Sequence, residues 1–501
     1  MTRDTIPLLS KSRFGAGLQC PKRLYLQCYS PELAEPPDVS QRAIMDMGIA
    51  VGRLARQRFP GGRLIKEAYY EHDAAMTSTL QAIADRSVPA IFEGAFTFDD
   101  VRVRVDVLSP NADGTFDLVE VKSSTSVKEE HIPDVAIQLY VLEGSGIAVR
   151  RACLLHIDNT YVYEGGSYDL RQLFQLEDVT DQARAFVRSE VSESLAGMRE
   201  ALGREEPPEL EIGRQCTNPY QCDFYRHCRE EAPEHHIEQL PRVKGELIRG
   251  LVDSGIRDIR DIPEVFPGLS ATQRRVRECV VSGQPYVGPG LASALAAIEQ
   301  PVHFLDFETF NPALPVYPGT RPYQVIPFQW SLHVRDSGGN LRHRSFLHDG
   351  DGDPREAFSV SLLEAIGPIG TIVIYSSYEQ TILRQLADTF PRYSDRLLVL
   401  GDRMLDLLAV VRAHYYHPGF HGSYSIKAVL PALVPELGYD DLEIQEGGHA
   451  SVAFAHMIAL ETEGAERERL RHALLEYCRR DTEAMVRIFD ALGEASKRWP
   501  I

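Results

Sequence analysis

Three groups of residues in this 501-residue chain have the types and spacing to do chemistry. The first lies in "VRVRVDVLSPNADGTFDLVEVKSST", residues 101–125, which carries Asp106, Glu120 and Lys122. "VRVRVDVL" alternates apolar and polar residues, the period of a half-buried strand. Val101, Val103, Val105 and Val107 should share one face, and Arg102, Arg104 and Asp106 the other. "NADG" is a turn signal, and "TFDLVEVKSS" returns as a second strand with Glu120 and Lys122 on one side. A hairpin would then bring Asp106 beside them. Two carboxylates can hold Mg²⁺ or Mn²⁺, because hard cations take oxygen ligands. Such an ion activates water and neutralises charge on a phosphodiester, and a lysine can orient that water or steady the developing phosphorane. The bland reading of the same residues is a solvated hairpin face.

The second group is made of thiols. "QCTNPYQCDFYRHC" places Cys216, Cys222 and Cys228 within 13 residues. Soft thiolates at such spacing suit zinc or an iron–sulfur cluster. Three are local, so a fourth must come from elsewhere; Cys20, in "GLQCPKRLYLQCYS", and Cys28 are the rivals. Cys153, Cys279 and Cys478 stand singly in apolar or helical stretches and read as core or incidental residues. Eight cysteines in a chain of this length do not make a disulfide scaffold.

The third group begins in "PVHFLDFETF", where Leu305 and Phe307 face one way and Asp306 and Glu308 the other. Two adjacent acids beside so apolar a strand are costly to bury without a cation. Near the C-terminus, "EYCRRDTEAM" sets Tyr477 and Asp481 four apart, on one helix face. Between them "TIVIYSSYEQTILRQLA" reads as strand, turn and helix, with Glu379 at the start of the helix. Acids gathered in this way can bind two metal ions about 4 Å apart, which stabilise the attacking and leaving oxygens of a phosphodiester. Tyr477 would orient the nucleophilic water.

The elements that must position these groups fall into three regions. Residues 1–235 run from basic helical segments through the hairpin to the cysteine cluster. Residues 236–297 read as short helices punctuated by Gly255, Pro263 and Pro267. Residues 298–501 restart with a buried strand and end in a long helix, "ERERLRHALLEYCRRDTEAMVRIFDAL". The length calls for more than one core. A hydrophobic share of 44% and a charged share of 25% are those of globular protein. No apolar run is long enough for a membrane span, the N-terminus lacks the apolar stretch of a secretory signal, and a cytoplasmic protein is the expectation. The net charge of −19 argues against a generally basic, DNA-coating protein. It leaves a nuclease open, since the contact surface can be local.

The order of elements carries resemblances. "AIFEGAFTF" with Glu93, the hairpin with D and E-x-K, and then "HIPDVAIQLYVLEGSG" with Gln138 and Tyr140 resemble the RecB-type branch of the PD-(D/E)XK nucleases. That resemblance implies a restriction-endonuclease-like fold, with Asp106 and Glu120 as metal ligands, Lys122 as the catalytic lysine, and Gln138 and Tyr140 as supports. The upstream helical histidine of many such enzymes has no counterpart in "MGIAVGRLARQRF", and Glu93 is expected to compensate. Cys20, followed by Pro21 and a basic helix, resembles the lone N-terminal cysteine of iron–sulfur nucleases, such as the CRISPR-associated RecB-type exonucleases. This implies a structural [4Fe–4S] cluster on Cys20, Cys216, Cys222 and Cys228, with zinc as the alternative. D-x-E followed at a distance by Y-x3-D resembles the DEDD exonucleases of the RNase H-like fold. It implies Asp306, Glu308, Glu379 and Asp481 as metal ligands; Glu379 stands where those enzymes have Asp, and Asp402 and Asp406 are its rivals. "GSYSIKAVLPALVPELGYDDLEIQEGGHA" looks like an uncharacterised RNase H-like domain found fused to RecB-type nucleases. "LIRGLVDSGIRDIRDIPE" resembles a helix-hairpin-helix segment, which contacts phosphate backbone. His414, His417 and His421 read as loop histidines.

The expectation is an α/β multidomain protein: a restriction-endonuclease-like N-terminal domain, a small helical linker and an RNase H-like C-terminal domain. Its function would be that of a metal-dependent nuclease acting on nucleic acid, on DNA ends or single strands ahead of RNA, in repair, recombination or defence. A helicase partner is left open. The alternatives are an RNA 3′–5′ exonuclease and a nucleic-acid-binding adaptor with one or both centres inactive.

Overall fold

The alternating stretch does form a hairpin. Val101–Pro110 and Phe116–Lys122 pair antiparallel, with Val107 opposite Val119. The computed structural model describes residues 6–498. The chain divides into two units: residues up to Glu231 together with Pro312–Gln324, and Ala232–Asn311 together with Val325 onward. The segment 236–297 is therefore not a separate linker domain. It belongs to the second unit, where its strand Tyr286–Val287 pairs antiparallel with Tyr415–Tyr416 and His235 stacks on His421 at 5.3 Å. The excursion 312–324 was also hidden in the sequence. It packs in the first unit, where Thr320 accepts a hydrogen bond from the Tyr163 amide and Ala313 is buried.

The first unit is built on a mixed sheet in the order Arg63–Leu64, Ile91–Phe98, Val101–Pro110, Phe116–Lys122, Val149–Ile157, Phe174–Asp178. Phe116–Lys122 and Val149–Ile157 run parallel, so a crossover must join them. That crossover is the helix His131–Gly144, whose residues 135–139 are all buried. The hairpin partner takes only the far end of Val101–Pro110, leaving Val101 and Arg102 to pair parallel with Leu9–Ser10. Ser10 then caps the helix Lys11–Gln19 through its side chain. The one-face expectation for the valines fails at Asp106. Val101, Val103 and Val105 enter one core, while Val107 enters the core on the other side of the sheet. Opposite Asp106 in the register stands Glu93, with a left-handed φ of 57°. The switch of faces thus falls where two carboxylates must be aimed.

The second unit holds a five-stranded sheet in the order Leu341–Leu347, Ile326–Arg335, Val302–Phe310, Ile372–Ile374, Met404–Asp406. The first three strands are antiparallel; the last two run parallel to Val302–Phe310. Leu305 and Phe307 enter the core with Phe358 and Ile382, which turns Asp306 and Glu308 to the opposite face. The helix Gly464–Arg498 packs with its buried stripe Leu470, Leu474, Cys478 and Asp481, spaced by three or four residues, with Tyr477 buried beside it. Gln329 of the sheet donates to the Leu474 carbonyl at 2.8 Å, which sets the helix against that face. Among the described residues no helix is long and apolar enough to cross a membrane.

Candidate functional site

In the first unit the structure gathers Asp106, Glu120 and Lys122, and adds two residues the sequence reading missed, Lys11 and Asp134. Glu120 is 2% exposed. Its Oε1 accepts hydrogen bonds from Lys11 Nζ and Lys122 Nζ, both at 2.9 Å, and its Oε2 accepts one from Gln138 Nε2 at 2.8 Å. Lys122 also bonds Asp134. Asp134 and Gln138 are one turn apart on the crossover helix, so a signal for Asp134 was available. Lys11 gave none: it is 109 residues from Glu120 and arrives through the strand Leu9–Ser10. The Asp106 carboxylate accepts the Val121 amide at 2.8 Å. Burial, then the Glu120 charge, pushes its pKa up to about 7. Burial alone would raise Glu120 as well, but Lys11 and Lys122 outweigh it and hold Glu120 below the usual carboxylate range.

Two expected members stand apart. Tyr140 bonds Asp99 at 3.0 Å and stacks edge-on against Phe98. Residues two apart on a helix point to nearly opposite sides, so Tyr140 cannot accompany Gln138. Glu93 is near enough for its charge to act on Asp106, but its Oε1 is held by Arg56 at 2.6 Å. Gln138 Oε1 is buried with no hydrogen-bond partner among the described residues. The carboxylates of Asp106, Glu120 and Asp134 and the orphaned amide oxygen of Gln138 are oxygen donors that suit a divalent cation; the two ammonium groups supply charge and no ligand.

The four cysteines Cys20, Cys216, Cys222 and Cys228 line one small cavity, with Leu26, Ile212 and Phe224. Cys28 does not; it packs against the core of the sheet. Cys20 stands extended at the start of the helix Pro21–Tyr29. Cys216 and Cys222 are tied by a backbone hydrogen bond of 2.8 Å, and Cys228 lies on the helix Tyr225–Glu230. Gln19 donates to the Gln215 and Tyr220 carbonyls, both at 2.7 Å, which joins the early and late segments. Burial raises the thiols of Cys222 and Cys228, and the charge of Cys20 adds to each. Four convergent thiols fit a thiolate-held metal centre. The cavity that they line has a volume of about 20 Å³.

In the second unit four acids converge from three elements: Asp306 and Glu308 from the strand Val302–Phe310, Glu379 from the start of the helix Tyr378–Thr389, and Asp481 from the last helix. Glu308, Glu379 and Asp481 are buried, at 6%, 4% and 7% exposed. Burial is the largest cause raising all four pKa values, Asp481 to about 6 and Glu379 to about 8. Asp306 and Glu308 lie well above the usual range, each pushed further by Asp481. Asp481 Oδ1 accepts from Tyr439 at 2.5 Å, and Tyr477 also bonds Asp481. Lys427 Nζ lies over the rings of Tyr439 and Tyr477, at 5.4 and 5.5 Å. Its charge lowers both Glu308 and Asp481.

Glu379 Oε2 is buried with no hydrogen-bond partner among the described residues. A carboxylate oxygen is not left so without compensation. Of its rivals, Asp406 caps the helix Leu407–His414, accepting from the Ala409 amide at 3.1 Å, though its charge reaches Glu379. Asp402 lines a separate cleft with Gln380 and Arg384. Cys478 corrects the sequence reading. It is buried in the core, as expected, but is not incidental: its Sγ is 3.5 Å from Asp306 Oδ2. It lies three residues before Asp481, hence on the same helix face. Ligand atoms of Asp306, Glu308 and Cys478 lie within 4.8 Å of one another, a grouping that could hold a metal ion. Burial and the neighbouring acids keep the thiol protonated, so it acts as a weak donor to Asp306. Tyr439 and Lys427 were missed; the stretch that carries them was read for likeness, not for chemistry.

Comparisons with known proteins add little to this geometry. The model of a family described as a domain of unknown function (DUF2779) matches residues 303–425. The match takes in Asp306, Glu308 and Glu379 and ends before Tyr477 and Asp481. No curated protein matches the chain. Among solved structures, one titled "Crystal structure of SSO0001" is 14% identical, covers 46% of this chain and 90% of its own, and has a TM-score of 0.22.

Proposed function

We propose that the chain is a metal-dependent nuclease with two centres, one in each unit. The observation that carries this reading is the second-unit cluster. Four acids from three elements are aimed at one another in a buried site, and one buried carboxylate oxygen has no hydrogen-bond partner among the described residues. Like charges in such a site are tolerable only with protons or a cation. The sheet order, with three antiparallel strands followed by two parallel ones on the far side of the first, supports an RNase H-like fold. Divalent ions there would supply water activation and charge neutralisation at a phosphodiester. Asp306, Glu308, Glu379 and Asp481 would hold them, and Tyr477 would orient the water. In the first unit Asp106 and Glu120 would hold an ion, with Lys122 beside it to polarise the scissile phosphate. DNA is the favoured substrate, with RNA the rival.

The thiol site has two readings. Its donor set of four thiols suits [4Fe–4S] or one zinc ion. Anaerobic purification followed by iron, sulfide and zinc analysis separates them. Iron and sulfide near four per chain would support the cluster, and one zinc per colourless chain would replace it.

The test of function is cleavage of end-labelled ssDNA, dsDNA and RNA in Mg²⁺ or Mn²⁺. The reading requires cutting that EDTA abolishes, with one activity lost in Lys122→Ala and the other in Asp306→Ala. Binding without cutting under every condition would make the chain an adaptor.

A further inference from the structure

Beside the first acid centre lies a cavity of about 780 Å³. One side of it is formed by Lys11, Lys122 and Asp134, the groups that surround Glu120. Arg214, Gln215, Asn218, Pro219 and Tyr220 line it too, a stretch that brackets Cys216 and stops short of Cys222. Phe14, Leu18 and Pro133 are apolar members of the lining. Gly15 also lines the cavity, and a Cβ there would meet nothing within 4 Å.

Tyr220 is 57% exposed, although Cys216, Cys222 and Phe224 around it are buried. Its backbone is anchored, because its carbonyl and that of Gln215 both accept from Gln19. Its hydroxyl is near enough to Glu130, Lys122 and Asp134 for their charges to act on it. Arg214 is exposed and forms no ion pair with a described residue. An exposed aromatic ring on an anchored backbone beside an acid centre, with a guanidinium and apolar side chains lining the same cavity, has the features of a single-strand site. Bases stack on the ring, and the cation takes a phosphate. A base within a duplex keeps its faces against its neighbours and cannot be offered to such a ring.

We propose that Tyr220 stacks on an unpaired nucleobase next to the phosphate held at the first centre, and that Arg214 takes an adjoining phosphate. The first centre is thereby specific for single-stranded nucleic acid. This rests on the nuclease reading of that centre. It also gives the thiol site a consequence for substrate, since the segment that bears Tyr220 is anchored at both ends by its cysteines.

The test uses the full chain carrying Asp306→Ala, so that the second centre is silent. Binding of a fluorescein-labelled oligodeoxythymidylate is followed by anisotropy in EDTA, and its cutting in Mn²⁺. Tyr220→Ala should weaken binding by about tenfold or more, Tyr220→Trp should restore it, and a strand with abasic sites should bind both forms alike. A blunt duplex of the same length should bind weakly to all. The proposal is overturned if Tyr220→Ala binds and cuts the strand as its parent does, or if the abasic strand shows the same loss. If the Asp306→Ala parent neither binds nor cuts any strand, the nuclease reading of this centre fails, and the proposal falls with it.

Discussion

In the first unit Glu120 lies between two ammonium groups, Lys11 and Lys122, each 2.9 Å away, and Lys122 is shared with Asp134. In the second unit Asp306, Glu308, Glu379 and Asp481 repel one another, and the cations acting on them among the described residues are Lys427, on Glu308 and Asp481, and Arg480, on Asp481. Both centres bury carboxylates, which is costly unless charge is compensated. The first compensates within the chain, so its geometry can form without an ion. The second does so only in part, since all four of its acids stay raised, and is complete only with protons or cations. The two should therefore respond to metal in different ways, even though both are read as phosphodiester-cleaving sites.

The largest effect is expected in activity. With the first centre silenced by Lys122→Ala, Asp306→Ala should lower degradation from a 3′ end by at least about 100-fold, the scale of losing one electrostatic contact to a developing charge. A stability effect of similar size should follow metal itself. Mn²⁺ at about 100 times its dissociation constant should stabilise the protein by about 2.7 kcal/mol, read as a rise in melting temperature by calorimetry. Asp306→Asn, which removes one of the repelling charges, should melt no lower than the parent in EDTA and should lose most of the gain from Mn²⁺. An equal gain in parent and variant would erase the contrast between the centres.

How far the sequence reached follows the same divide. Asp306 with Glu308, and Tyr477 with Asp481, were legible because a strand period and a helix turn each relate near neighbours. Glu120 with Lys122 was legible for the same reason. Lys11, Tyr439 and Lys427 were not, because each comes from an element whose local pattern serves another purpose, such as a cap or a surface turn. Cys478 was misread because a buried thiol in a helix is usually packing; only the approach of Asp306 gives it a partner. Tyr140 was misplaced by family likeness, against the helical angle that separates it from Gln138. The helical segment 236–297 carried turn signals of its own but no sign that its strand would pair with Tyr415–Tyr416.

Smaller effects sharpen the comparison. Lys11→Met leaves Glu120 with one ammonium. Because Lys11 keeps 25% of its side-chain surface exposed, screening limits the cost to about 1–2 kcal/mol, measurable by urea denaturation. Mn²⁺ should recover part of that loss, since the cation replaces the missing charge. Tyr439→Phe removes one hydrogen bond to Asp481 and should cost about 1 kcal/mol in the ion-free protein. No change in either variant would mean that these contacts are incidental to the centres.

The most direct test of the central claim is a calorimetric titration of Mn²⁺ into three proteins: the parent, Asp306→Asn with Asp481→Asn, and Asp106→Asn. The account predicts that the parent binds Mn²⁺, that the double variant loses the second-unit ions while remaining folded, and that Asp106→Asn retains them. Binding in the double variant that matches the parent in stoichiometry and affinity would contradict it.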